Sequence, residues 1–184
     1  MLRFIKEFVK HPRKVGAIAP SSNHLAERMV ERINFKKATC IVEYGPGLGS
    51  FTRKLVEYKT RECKLILIEQ NNEFCTALGK EYFDREDIVI LNESAENIED
   101  ILGDMGIDKA DYVVSGLPFT SLPTKVSNKI LSNTKRIIRK EGCFLTFQYS
   151  LVRRELLLKY FVINNISKVR KNFPPAYVFE CKVI

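Results

Sequence analysis

The chain has 184 residues, 45% of them hydrophobic, with 30 Lys and Arg against 22 Asp and Glu and a formal net charge of +8. That length and apolar content fit one domain with a sizeable core and exclude disorder as the bulk state. The expectation is a single unit over 1–184, with an amino-terminal helical segment at 1–34 and an α/β core at 38–184.

The positive surplus points to a polyanion, and nucleic acid or the anionic face of a membrane would satisfy it equally. Five scattered cysteines (Cys40, Cys63, Cys75, Cys143, Cys181) form no C-x-x-C pair. They suggest neither a disulfide framework nor a zinc site, and they fit a reduced, cytoplasmic protein. No apolar run approaches the roughly 18 residues of a spanning helix. No metal and no protein partner is expected.

In chain order, Met1, Leu2, Ile5, Phe8 and Val9 follow helical spacing, with Arg3, Lys6 and Lys10 around them, until His11-Pro12 stops the pattern. Such a helix can lie on an anionic bilayer, as a peripheral protein on the inner membrane face would, or cap the fold with its apolar side on the core. Both readings stay open.

Short apolar runs then alternate with helical stretches. The strand candidates are Cys40–Tyr44, Lys64–Glu69, Ile88–Asn92, Tyr112–Ser115, Cys143–Tyr149, Ser167–Asn172 and Tyr177–Val183. The helix candidates are Ser50–Tyr58, Asn72–Phe83, Ala95–Leu102 and Leu122–Lys140. Continuous apolar strands linked by crossover helices predict a doubly wound, mostly parallel seven-stranded sheet. The last two strands flank Pro174-Pro175 with no room for a helix, so they form an antiparallel hairpin.

Between the first strand and helix runs Glu43-Tyr44-Gly45-Pro46-Gly47-Leu48-Gly49-Ser50. Glycines there permit a tight turn and close backbone approach to a ligand, and the helix that follows offers unpaired N–H groups. The loop lacks the Lys-Ser/Thr of a P-loop, and Ser50 occupies the last glycine position of a dinucleotide fingerprint. Glu69, beside Gln70, lies 22 residues beyond Gly47 at the end of the second strand. An acid there can accept both hydroxyls of a ribose. The polar Asn92-Glu93-Ser94-Ala95-Glu96 segment closes the third strand, where an adenine can be read.

The fourth strand ends in Ser115-Gly116-Leu117-Pro118-Phe119. A loop there sits at the topological switch point, its carbonyls able to aim an amine lone pair and Phe119 able to face positive charge growing on nitrogen. Phe119 as ordinary core and Pro118 as a loop stiffener are the alternatives.

These residues resemble the class I S-adenosylmethionine-dependent methyltransferases, a Rossmann-like fold, over nearly the whole chain. The resemblance implies S-adenosylmethionine as cofactor, with the Glu43, Gly45, Gly47 and Gly49 loop holding its methionine part, Glu69 its ribose, Ser94, Ala95 and Glu96 its adenine, and Pro46, Gln70 and Ser115 among the cofactor-binding residues. Two branches look similar. The small bacterial phospholipid N-methyltransferases share the Arg13–Ser22 stretch, Ser115-Gly116-Leu117-Pro118, and Asn172-Phe173-Pro174-Pro175-Ala176. The rRNA adenine dimethyltransferases instead carry Asn-Leu-Pro-Tyr or Asn-Ile-Pro-Tyr, whose Asn accepts from the base amine. Here Gly116 takes the Asn position and Phe119 the Tyr position.

The resemblance therefore implies methyl transfer to a phospholipid head-group amine of the phosphatidylethanolamine type, with catalysis around Ser115, Gly116, Leu117, Pro118, Phe119 and Tyr149. An rRNA adenine acceptor and a non-catalytic cofactor-binding protein are the alternatives. An ethanolamine amine must lose a proton before attack, so a base or a dry pocket is needed. Tyr149, Tyr177 and His24 are the base candidates; packing or surface roles are the competing reading for each.

Overall fold

The computed structural model describes residues 21–152 and 154–183, so the amphipathic pattern over Met1–Lys10 lies outside the described residues. Helix α1 (Asn23–Val30) is followed by β1 (Cys40–Tyr44), α2 (Ser50–Tyr58), β2 (Lys64–Ile68), α3 (Asn72–Glu81) and β3 (Ile88–Leu91). A 3-10 turn at Ala95–Asn97 leads into α4 (Ile98–Asp104), then β4 (Ala110–Ser115), α5 (Thr124–Ile137), β5 (Ile138–Gln148), α6 (Arg154–Leu158), β6 (Val162–Val169) and β7 (Ala176–Lys182).

The strands form one sheet in the order β3-β2-β1-β4-β5-β7-β6. The first five pair in parallel, and β7 runs antiparallel to both β5 and β6. This is the α/β arrangement expected, with the switch point between β1 and β4.

Why the strands read as continuous apolar runs is visible in the core. Successive side chains point to opposite faces, and both faces are covered. Ile41, Leu65, Leu67, Cys143 and Leu145 enter one layer beneath α1–α3, whereas Val42, Ile66, Ile68 and Phe144 enter another with α4 and α5. Tyr44 ties α5 to the sheet through a 3.2 Å bond between its hydroxyl and Thr134 Oγ1.

Several boundaries differ from expectation, the largest differences lying at β5 and β6. The helix expected over Leu122–Lys140 stops at Ile137, and β5 starts at the next residue, its Ile138 pairing with Ala110 before the register shifts. The strand expected at Ser167–Asn172 is Val162–Val169 instead. Asn164 and Asn165 read as turn residues, but in this edge strand their amides are satisfied by Glu180 Oε1 at 3.1 Å and Ser167 Oγ at 3.0 Å. Helix α6 was not anticipated.

Candidate functional site

The carboxyl ends of β1, β2 and β4 meet at the switch point, and the sequence-predicted loops lie there together. Gly47 adopts φ +54°, and the side its Cβ would occupy is open space. Its N–H donates to Glu69 Oε2 at 3.0 Å, while Asn71 N–H donates to Glu69 Oε1 at 2.9 Å. Two backbone donors thus fix the carboxylate, and each oxygen keeps acceptor capacity for a hydroxyl. Gln70 is the exposed neighbour of Glu69.

Glu43 is fully buried on β1. Thr52 Oγ1 donates to its Oε2 at 2.8 Å, whereas Oε1 is buried without a partner. Burial, with repulsion from Glu69, pushes its carboxyl up to about 8 against the bond from Thr52. An orphaned carboxyl oxygen beside an open glycine loop is a place for a polar, cationic ligand group. The helix that follows, α2, has Gly49 as its N-cap and no side-chain cap. These features fit the methionine part of S-adenosylmethionine, and the Glu69 carboxylate fits its ribose.

The adenine segment is held from outside. Ser94 Oγ accepts from Glu96 N–H at 3.2 Å, Ala95 is buried, and Asn133 of α5 donates to the Glu96 carbonyl at 2.8 Å. Asn92, at the head of the same polar segment, donates to the Glu69 carbonyl at 2.9 Å and ties β3 to the ribose position.

The β4 loop is fastened to the glycine loop. Gly116 N–H donates to the Tyr44 carbonyl at 2.8 Å, and a Cβ on Gly116 would lie 2.7 Å from the Gly45 carbonyl oxygen. Ser115 is fully buried, its hydroxyl accepting from Leu117 N–H at 3.2 Å. The Leu117 carbonyl accepts from Phe119 N–H, and that of Pro118 from Ser121 and Leu122 N–H. Among the described residues the Gly116 carbonyl, like that of Phe119, accepts no hydrogen bond.

Phe119 and Tyr149 are not brought together. Phe119 has no exposed surface and packs edge-on to Phe144, at 6.0 Å, in the layer beneath α4 and α5. In this arrangement its ring is core and presents no face to an acceptor. Tyr149 stands in the opposite layer, edge-on to Phe147 at 5.5 Å. Its phenol is pushed up by burial, against a bond with Asn172. A phenol held protonated is no general base at neutral pH, which counts against the role expected for it. Tyr177 lies in the Phe119 layer with Lys168 Nζ 5.4 Å from its ring, and His24 is exposed on α1.

Gln148, at the end of β5, was missed. It is 4% exposed, and neither amide atom has a hydrogen-bond partner in the described residues. Its signal in the sequence was a polar residue closing an apolar strand. An open depression of about 600 Å³ lined by Thr39, Lys64, Lys109 and Arg139 lies at the opposite end of the sheet.

Comparison with known proteins agrees with this geometry. A family profile described as ribosomal RNA adenine dimethylase matches residues 21–157. An ornithine lipid N-methyltransferase of Singulisphaera acidiphila is 27% identical over 180 residues, covering 97% of this chain and 94% of that protein. Ribosomal RNA small subunit methyltransferase A of a Hydrogenobaculum species is 29% identical over 122 residues. There the match covers 66% of this chain but 44% of the relative, so the chain spans less than half of that protein. The solved N-methyltransferase NodS of Bradyrhizobium japonicum superposes with a TM-score of 0.69 at 10% identity, over 87% of this chain and 96% of that one, a likeness of fold. From the switch-point site and the family match together, the chain belongs to the ribosomal RNA adenine dimethylase family and is a class I S-adenosylmethionine-dependent methyltransferase.

Proposed function

We propose that this enzyme methylates the amine nitrogen of a lipid head group. The observation that carries the reading is Gly116. At the position where the rRNA enzymes resembled above carry an Asn, a side chain would collide with the Gly45 backbone 2.7 Å away. No amide can stand there to read the exocyclic amine of a planar base, while an open backbone carbonyl suffices for a flexible primary amine. The end-to-end match to a lipid N-methyltransferase supports the same choice.

When bound, S-adenosylmethionine supplies a methyl group on a sulfonium. The chain's own part is positioning and exclusion of water. Glu69 and the glycine loop fix the cofactor's ends, and Gly116, bonded to Tyr44 between the two loops, offers its carbonyl to an amine N–H. The neighbourhood is neutral: Ser115, Gly116, Leu117, Pro118 and Gln148 bring no ionised group. A neutral pocket disfavours an ammonium and so favours loss of the proton before attack.

The family match to rRNA enzymes favours an adenine acceptor as the second reading. The deciding experiment is transfer of labelled methyl from S-adenosylmethionine to mixed micelles of phosphatidylethanolamine or of ornithine lipid, and in parallel to undermethylated rRNA, with Glu69→Ala as blank. Label in either lipid, absent from the blank, is expected. Label in RNA alone would overturn the proposal.

A further inference from the structure

Exposed apolar residues cluster at the end of the sheet that carries the site. Phe173, in the β6–β7 turn, is 96% exposed, and Val152 and Leu151, just past β5, are 80% and 37% exposed. Pairing of Gln148 with Tyr177 and of Val169 with Ala176 brings both segments to the carboxyl end of β5. Asn172 joins them. It is 5% exposed, its side chain bonds Tyr149, its Oδ1 accepts from Ser22 N–H at 3.0 Å, and its Nδ2 donates to the Pro174 carbonyl at 2.8 Å. Phe173 is therefore held outward by a buried, fully bonded neighbour.

Positive charge predominates around these residues. Segments 149–155 and 166–175 contain Arg153, Arg154, Lys168, Arg170 and Lys171 against one acid, Glu155, which pairs with Arg154 at 3.7 Å. The bond from Ser22 also places the start of α1 here.

We infer that this rim, Phe173 with Leu151 and Val152, seats in the head-group layer of an anionic bilayer. The inference rests on, and deepens, the lipid reading above. Apolar side chains that enter the interface beside basic residues that meet anionic lipid are the two components of peripheral binding. Single-stranded RNA would also use Phe173 and the cations, by stacking. Leu151 and Val152 have no π face, and their exposure favours the bilayer. The surface brings lipid head groups to the end of the sheet where Gly116 and the cofactor loops lie.

The test is co-sedimentation, without cofactor, on vesicles of phosphatidylethanolamine and phosphatidylglycerol, for the wild type, Phe173→Ser and Arg170→Glu/Lys171→Glu. Burial of one phenyl ring corresponds to a loss of about tenfold or more in partitioning for Phe173→Ser. Cofactor affinity and melting temperature should not change, because Phe173 touches neither core nor cofactor loops. The charge-reversal variant should lose most binding at low salt. Wild type that ignores vesicles, or Phe173→Ser that binds them as well as wild type, overturns the proposal. So does an effect of Phe173→Ser on RNA binding alone. Since vesicle binding is read without turnover, Phe173-dependent binding with no lipid methylated would sink the acceptor assignment and leave this surface standing; micellar lipid methylated with unaltered vesicle binding in Phe173→Ser would do the reverse.

Discussion

Replacing Glu43 by Gln tests the electrostatics of the cofactor loop directly. In the folded chain burial raises this carboxyl from 4.5 to about 8. Between those values the unfolded chain has released the proton and the folded chain still holds it. The unfolded state therefore binds fewer protons, and stability falls as pH rises from about 4.5 to about 8. At about 1.4 kcal/mol per pH unit, the fall attributable to this one group reaches about 5 kcal/mol above pH 8 and about 3 kcal/mol at pH 7. Gln keeps an oxygen to accept from Thr52 Oγ1 and has nothing to ionise. At pH 5 the two proteins should have equal stability within about 1 kcal/mol, and at pH 8.5 the variant should melt about 10 °C or more higher. Urea titration and thermal melts from pH 5 to 9 give the difference curve. Other groups titrate alike in both proteins and cancel. A difference that stays constant across this range would refute the assignment of a buried, protonated Glu43.

Lys59 makes the opposite case. Its side chain is fully buried, bonded to Asp87 and to the Cys63 carbonyl at 2.6 Å, and Arg85 also grips Asp87 at 2.6 Å. Asp87→Asn strands the lysine and should cost about 3–5 kcal/mol in urea unfolding at pH 7; a cost below about 1 kcal/mol would contradict the buried pair. Arg85 beside Asp87, with Lys59, holds this carboxyl below its ordinary value, so its contribution is present at neutral pH and is lost as pH falls below about 4. Phe119→Ala should destabilise by about 3–5 kcal/mol, because the ring is fully buried against Phe144. A Phe119→Ala protein of wild-type stability that had lost only activity would restore Phe119 to the acceptor site. For Gly116→Ala, the 2.7 Å approach to the Gly45 oxygen requires one of the two loops to move. Cofactor affinity, read by calorimetry, and methyl transfer should each fall at least tenfold, and wild-type values for both would show that the loops are not tightly apposed.

The chemistry of the cofactor half was legible in the chain because it is local. A glycine-rich turn between a strand and a helix, and an acid closing the next strand, are contiguous motifs whose geometry follows from backbone sterics; Glu69 indeed meets Gly47 through a 3.0 Å bond. The alternation of apolar strands with crossover helices likewise determined the parallel order and the hairpin. Positions set by side-chain parity and distant partners were not legible. Whether Phe119 or Tyr149 faces the site depends on which layer each enters, and β5 begins at Ile138 only because that residue pairs with Ala110 across the sheet. The polar edge strand β6 exists through β7, which satisfies its backbone, and its asparagines disguised it. The Gly116–Gly45 approach is a meeting of segments about 70 residues apart in the chain. By itself the sequence determined the fold class and the presence of a nucleoside-cofactor site, since these rest on short-range patterns, while the cofactor's identity came with the family resemblance. The tertiary structure alone decided which side chains stand around the acceptor, because packing of remote segments, not local propensity, sets that neighbourhood.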